Sequence, residues 1–217
     1  IIVISQNKSP QSYSTVGSSV SMINQETISN SNNFFLGETL NKNLPGMNYF
    51  RSGGYGTISG IQLRGLPKRY STVYIDGVKM SDPSSSDNSF YFSNIMNSSI
   101  KNVEVLRGSQ TSMYGSGAIG GAINIYTKDG EDKNLNKFII SSGSNNTKNL
   151  DVSYGEAYNN HSYYLGLNLF NTDGISAMND EVSTNDDDSY ENKSIISKYK
   201  YSFNDNFSFK GNLRYSN

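Results

Sequence analysis

The sequence predicts two consecutive β-rich units: an α+β unit with a small mixed sheet and short helices, then an antiparallel sheet of long alternating strands. Three observations predict this. Residues 103–128 (VEVLRGSQTSMYGSGAIGGAINIYTK) place an apolar strand, a Gly/Ser-rich turn and a second strand in succession. From residue 137 onward, segments of about ten residues alternate apolar and polar side chains, the period of a strand with two unlike faces. Charge divides between the units: residues 1–128 hold ten Lys/Arg against six Asp/Glu, and residues 129–217 hold eight against thirteen.

In the first unit, residues 19–24 form a short strand. Ser31, Asn32 and Asn33 offer caps for a helix over 34–44, whose Phe35, Leu36, Leu40 and Leu44 fall near helical spacing. Pro45-Gly46 stops it. Strands follow at 47–51, 59–64 and 72–75, a helical turn at 90–96, and the strands of the 103–128 run, the first beginning at 100.

The polar stretch 129–136 is a linker. Two looser strands come next, marked by Phe138 with Ile140 and by Leu150 with Val152 and Tyr154. Tyr163, Leu165, Leu167 and Leu169 then share one face, opposite Ser162, Tyr164, Gly166 and Asn168. Ile195, Tyr199, Tyr201 and Phe203 oppose Ser194, Lys198, Lys200 and Ser202. Phe207, Phe209, Leu213 and Tyr215 oppose Ser208, Lys210, Asn212 and Arg214. Sandwiches alternate in the same way, so periodicity alone does not separate a soluble sheet from a membrane barrel. Connection lengths favour the barrel: 143–147, 158–161 and 204–206 are short and 171–190 is long, the rhythm of short periplasmic turns and longer outside loops.

Composition narrows function. Hydrophobic residues make up 35% and charged residues 17%, and no run reaches the ~18 apolar residues of a spanning helix. Sixteen Tyr and ten Phe without Trp suit a sheet-rich protein. There is no Cys, which excludes disulfides, thiolate metal sites and cysteine nucleophiles. His161 is the sole histidine and reads as an exposed turn residue, so a multi-histidine metal site is excluded. No basic surface for nucleic acid is present at a net charge of −1. The sequence begins at Ile1, without Met, and the expectation is that a signal peptide was either removed or not included in it.

Residues 115–120 spell G-x-G-x-x-G, but here the glycines open a strand, with Ile123, Ile125 and Thr127 at period two. A dinucleotide cradle needs a helix at that point. A nucleotide-dependent enzyme is therefore disfavoured, and no paired carboxylates point to acid–base chemistry.

The same residues carry a specific resemblance. V-E-V-L-R-G at 103–108 with Y-G-S-G-A-I-G-G-A-I-N-I at 114–125 resembles the end of the plug domain of TonB-dependent outer-membrane receptors. LNKNLPG (40–46), IQLRG (61–65) and VYIDGV (73–78) resemble three further family segments, in the same order. One departure is Ser109, where the family usually has Pro. The resemblance implies an α+β plug domain over 1–128, a linker over 129–136, and the start of an antiparallel transmembrane β-barrel over 137–217. Plugged transporters have ~22 strands, and five cannot close a barrel. The expectation is therefore a fragment whose remaining strands lie beyond Asn217.

The resemblance also implies roles. Arg64 and Arg107, each ahead of a Gly, are the expected plug–barrel latch, pairing with glutamates of the barrel wall. Ile1, Ile2, Val3, Ile4 and Ser5 resemble the TonB box, which pairs with the periplasmic energy-transducing protein TonB by strand addition. Gly53, Gly54 and Tyr55 in one loop, and Ser81, Asp82 and Ser85 in another, lie where the family's plug loops face ligand. No cofactor is required. Asp186 and Asp188, in an acidic loop, are candidate calcium ligands. The implied function is non-enzymatic: uptake of a scarce ligand, cobalamin or a ferric siderophore, across the bacterial outer membrane, with the N-terminus in the periplasm. The remaining alternative is a soluble or surface β-rich binding or adhesin module.

Overall fold

The computed structural model describes residues 2–4, 9–17, 19–176 and 187–217. The chain divides into two compact units, residues 1–52 with 58–127, and residues 53–57 with 128–217.

The first unit opens with two short strands, β1 (Ile2–Val3) and β2 (Gln11–Ser12), paired antiparallel. Strand β3 (Ser19–Ile23) leads into helix α1 (Gln25–Ser29). Asn24 caps α1 through its side-chain oxygen, which accepts from Thr27 N at 2.9 Å. Helix α2 (Leu36–Asn43) buries Leu36 and Leu40 one turn apart. It is shorter than 34–44 and has no side-chain cap. Its first amide is satisfied from outside instead, Leu36 N donating to Ile95 O at 2.8 Å. Strands β4 (Met47–Arg51) and β5 (Ser59–Leu63) pair antiparallel.

A mixed sheet forms the centre, in the order β3-β8-β9-β6-β7, with β6 (Ser71–Ile75), β7 (Val78–Met80), β8 (Ile100–Arg107) and β9 (Gly121–Thr127). β6 and β9 run parallel and the other pairs antiparallel. Val103, Val105, Ile123, Ile125, Leu36, Leu40 and Leu63 share one buried cluster. Residues 90–96 form no helix, only a turn in which Ile95 N donates to Phe92 O at 3.3 Å. Phe92, Ile95 and Met96 are buried, and Met96 bridges to Phe35.

A short helix, α3 (Thr111–Tyr114), precedes the glycines. At Gly121 the backbone takes φ +148°, and an added Cβ would lie 2.2 Å from Leu106 O. This is close backbone approach, not a phosphate cradle.

The second unit is a meander of β10 (Lys137–Ser142), β11 (Lys148–Tyr158), β12 (His161–Thr172), β13 (Tyr190–Asn204) and β14 (Phe207–Ser216), each antiparallel to its predecessor. The register aligns Phe138, Val152, Leu167, Ile195 and Tyr215 in one row across all five strands. The adjacent row, on the other face, is Ile139, Asp151, Asn168, Ser194 and Ser216. The apolar face is the uncovered one: Leu165 is 51% exposed, and Phe138, Ile140, Leu213 and Tyr215 are exposed too. Ser162, Asn149, Asn168 and Asn192 on the polar face are buried. This reverses the partition of a water-soluble sheet.

Aromatic rings gather at the two tight hairpins. His161 and Tyr201 lie 4.8 Å apart, Tyr201 and Phe203 4.7 Å, and Phe203 and Phe207 5.1 Å. His161 is exposed, but it begins β12 and its Nδ1 lies 2.8 Å from Tyr199 Oη. Residues 129–136 are not a free spacer. Leu135 is buried with Tyr164 and Ile196, and a Cβ on Gly130 would meet β11 and β12 backbone at 2.5 Å.

Candidate functional site

Two of the first unit's expected functional features, Arg107 and the N-terminal strand, meet at β8. Asp76 takes φ +49° in the β6–β7 turn and accepts from Thr127 N at 3.0 Å and Thr127 Oγ1 at 2.5 Å. That explains the Asp-Gly of the VYIDGV segment: the turn is bolted to the end of β9.

Arg107 closes β8. Its guanidinium donates to Ser21 Oγ and, at 2.8 Å, to Pro45 O, while Nε is buried without a partner. Arg64 follows β5 at φ +53°. Burial lowers the pKa of Arg107, and the charge of Arg64 lowers it further, so the two cations lie within electrostatic reach. Among the described residues neither has an ion pair.

The N-terminal segment is docked. Val3 is buried with Val20, Leu106, Tyr114, Ala118 and Ala122. Ile4 N donates to both carboxylate oxygens of Glu104, at 3.2 and 3.0 Å. Ile1 and Ser5 lie outside the described residues. Glu104 is only 1% exposed. Sequence reasoning missed it because a lone Glu in Val-Glu-Val reads as the polar face of an alternating strand. The signal was that β8 is central, with both faces covered.

The two expected ligand-facing loops differ. At 80–89 the polar groups largely satisfy one another. Asp82 accepts from Ser84 N at 2.9 Å and Ser84 Oγ at 2.6 Å, and Ser85 Oγ donates to Asp87 at 2.5 Å. Lys68 Nζ stands 3.4 Å from Asp87. The Ser85 hydroxyl, aided by Ser89 and Lys68, holds Asp87 well below the usual carboxylate range. Ser81 is exposed.

Residues 53–57 belong with the second unit. Tyr55 meets Phe170 edge-on at 5.4 Å and stacks on Tyr190 at 6.4 Å. Gly56, at φ +79°, leaves no room for a Cβ, which would sit 2.4 Å from the Tyr190 ring. The ring of Tyr55 is therefore engaged by side chains, while Gly53 and Gly54 carry only backbone to the surface. Asp186 lies outside the described residues, and no group of three or more Asp, Glu or His able to hold a metal occurs among the described ones.

Residues 12–122 match the family described as the TonB-dependent receptor plug domain. The chain belongs to that family. The α+β plug is thus accounted for. A vitamin B12 transporter, BtuB, of Vibrio vulnificus is 27% identical over 215 residues, 99% of this chain and 34% of the relative. One from Photobacterium profundum is 29% identical over 199 residues, 91% and 32% of the two chains. The chain therefore spans about a third of the length of the curated relatives it matches. Among solved structures, the siderophore receptor PiuA of Acinetobacter baumannii superposes with a TM-score of 0.73 at 19% identity, over 98% of this chain and 28% of that one. The ferripyoverdine receptor of Pseudomonas aeruginosa gives 0.75 at 13% identity, over 100% and 27%. At these identities the likeness is one of fold: a TonB-dependent receptor plug followed by the strands that begin its barrel.

Proposed function

We propose that this chain is the N-terminal part of an outer-membrane receptor that takes up a scarce ligand with energy delivered by TonB. One observation carries the membrane half of this reading. Across five strands the apolar face is the exposed one, and in β11, β12 and β13 the opposite face buries Asn149, Ser162, Asn168 and Asn192 beside Tyr164, Phe170 and Ile196. In water such a sheet is unfavourable; in a bilayer it is the required arrangement. The hairpin-end aromatics fit an interfacial girdle.

In this reading Arg64 and Arg107 latch the plug to acidic residues of a barrel wall, and residues 1–5 are the TonB box. The ligand is a cobalamin or a ferric siderophore. Cobalamin is favoured by the curated relatives, which align along nearly the whole chain and are vitamin B12 transporters. In this reading the loop carrying Gly53, Gly54 and Tyr55 and the loop carrying Ser81, Asp82 and Ser85 are each ligand-facing.

The test is uptake of radiolabelled cyanocobalamin, against a ferric siderophore, by cells carrying the full-length receptor as their sole candidate. Deleting residues 1–5 is expected to preserve binding and abolish uptake. Absence of cobalamin binding, with siderophore uptake intact, would move the ligand to the second class. A monodisperse full-length protein in detergent-free buffer would restore the soluble-module alternative.

A further inference from the structure

We propose that Glu156, Tyr154 and Tyr163 form a lipid-headgroup site on the outward face of the second unit, and that its ligand is the primary ammonium of an aminophospholipid such as phosphatidylethanolamine. This rests on the reading of that face as the lipid-facing wall of a barrel.

Glu156 shares its face with Val152, Tyr154 and Tyr158, because alternate residues of β11 point the same way. Val152 lies in the apolar row aligned across all five strands. The carboxylate therefore stands on the face that the rest of the sheet keeps apolar. Two phenols of that face meet it: Tyr154 Oη donates to Oε2 at 3.2 Å, and Tyr163 Oη donates to the same oxygen at 3.0 Å. Tyr163 is directly opposite Glu156 in β12, and its ring lies 5.9 Å from that of Tyr154. Among the described residues Oε1 has no partner, and no Lys or Arg pairs with the carboxylate. Lys198 and Lys200 of β13 lie across from Tyr164 and Ser162, on the opposite face.

The cluster thus offers a negative charge and three acceptors: Oε1, and two phenol oxygens that keep lone pairs while they donate. A primary ammonium has three N–H donors and one positive charge, and aromatic rings beside a carboxylate favour a cation further. A trimethylammonium lacks the donors, and a headgroup whose only charge is a phosphate meets a carboxylate of the same sign. Depth agrees. Glu156 is two residues from the Tyr158 end of β11, ~7 Å along the strand. His161 and Tyr199 lie beside that hairpin, the kind of aromatic surrounding that marks the headgroup level. Leu165, opposite Tyr154 and exposed, begins the apolar stretch that receives the acyl chains.

The full-length receptor, purified in detergent and stripped of lipid, is offered phosphatidylethanolamine, phosphatidylcholine or phosphatidylglycerol with identical acyl chains, and native mass spectrometry counts the lipid retained. The parent is expected to hold phosphatidylethanolamine at least ~10-fold better than the other two. Glu156→Gln should erase that preference. The double variant Tyr154→Phe with Tyr163→Phe keeps the charge, removes two acceptors and should weaken the preference. The two variants act on different atoms, so a folding defect in one does not decide the matter; melting curves for each run alongside. Soluble phosphoethanolamine at the same concentration should not compete, and equal competition would overturn the lipid assignment in favour of a free amine. Equal retention of all three lipids by the parent, or a preference unchanged in both variants, would overturn the site and leave the membrane reading standing. A parent that is monodisperse without detergent and retains no lipid would overturn the membrane reading, and the site with it.

Discussion

Asn168 and Leu169 are neighbours in β12, yet the asparagine is 1% exposed and the leucine 37%. Asn168 donates its side-chain amide to Asn149 Oδ1 at 2.9 Å and to Asp151, so a polar ladder fills the covered face. A buried amide is tolerable when bonded. An open apolar face is tolerable only when something other than water touches it.

The outward row therefore carries the first prediction. Leu167 lies mid-strand between Val152 and Ile195. In the full-length receptor refolded into phospholipid vesicles, Leu167→Arg should lower unfolding stability by ~2–4 kcal/mol, and Tyr158→Arg, beside the hairpin, by ~0–1 kcal/mol. Denaturant titration reads both. Equal penalties at the two positions would contradict a depth-dependent apolar environment.

Gly121 sets a second test. A Cβ there would meet a backbone carbonyl, Leu106 O, at 2.2 Å, whereas one at Gly115 meets nothing within 4 Å. Both backbones have positive φ. Gly115→Ala should cost only the conformational strain, ~1–3 kcal/mol. Gly121→Ala must also part β8 from β9 and should cost distinctly more, measured as the loss of folded full-length protein or as a fall in Tm.

At Arg107 the expected signature concerns geometry, not charge. Lysine keeps the cation but cannot reach Ser21, Pro45 and a wall carboxylate as a planar fork. Arg107→Lys should therefore behave like Arg107→Ala in releasing the plug, read as a rise in sensitivity of whole cells to large antibiotics. Full retention of the barrier by lysine would leave the latch reading without its basis.

Lys128, the first residue of the second unit after its 53–57 segment, is 2% exposed, and burial lowers its pKa to about 8. The unfolded chain titrates near the ordinary lysine value of ~10.4. Between those values the unfolded state binds more protons, so stability should rise with pH from about 8 to 10. Below pH 8 both states are protonated and the dependence vanishes. Lys128→Met should flatten that slope in Tm measured across the same window.

Much of this could be read before folding. The faces of β12, β13 and β14 follow from period-two alternation, and strands 47–51 and 100–107 from apolar runs ended by Arg-Gly or a turn. What was not legible depended on distant partners. The alignment of Phe138 with Tyr215 needs four hairpin registers at once, which no single strand encodes. Helix α1 has only five residues, too few for a periodic signal. Residues 90–96 make only one turn, Ile95 N donating to Phe92 O at 3.3 Å, because Ile95 O accepts from Leu36 N and Met96 bridges to Phe35. In the candidate site, Arg64, Arg107 and the N-terminal run were visible as motifs. Glu104 was not, because its role is set by a strand about a hundred residues away.

The alliance of Tyr55 with Phe170 and Tyr190 bears on the order in which the molecule matures. The chain leaves the ribosome N-terminus first, so Tyr55 is made more than a hundred residues before the strands that receive it. Contacts at such separation are slow to form, because a long loop must close before they repay its entropy. The five residues 53–57 should be the last of the N-terminal half to gain protection from hydrogen exchange, after the segments on either side of them are already locked.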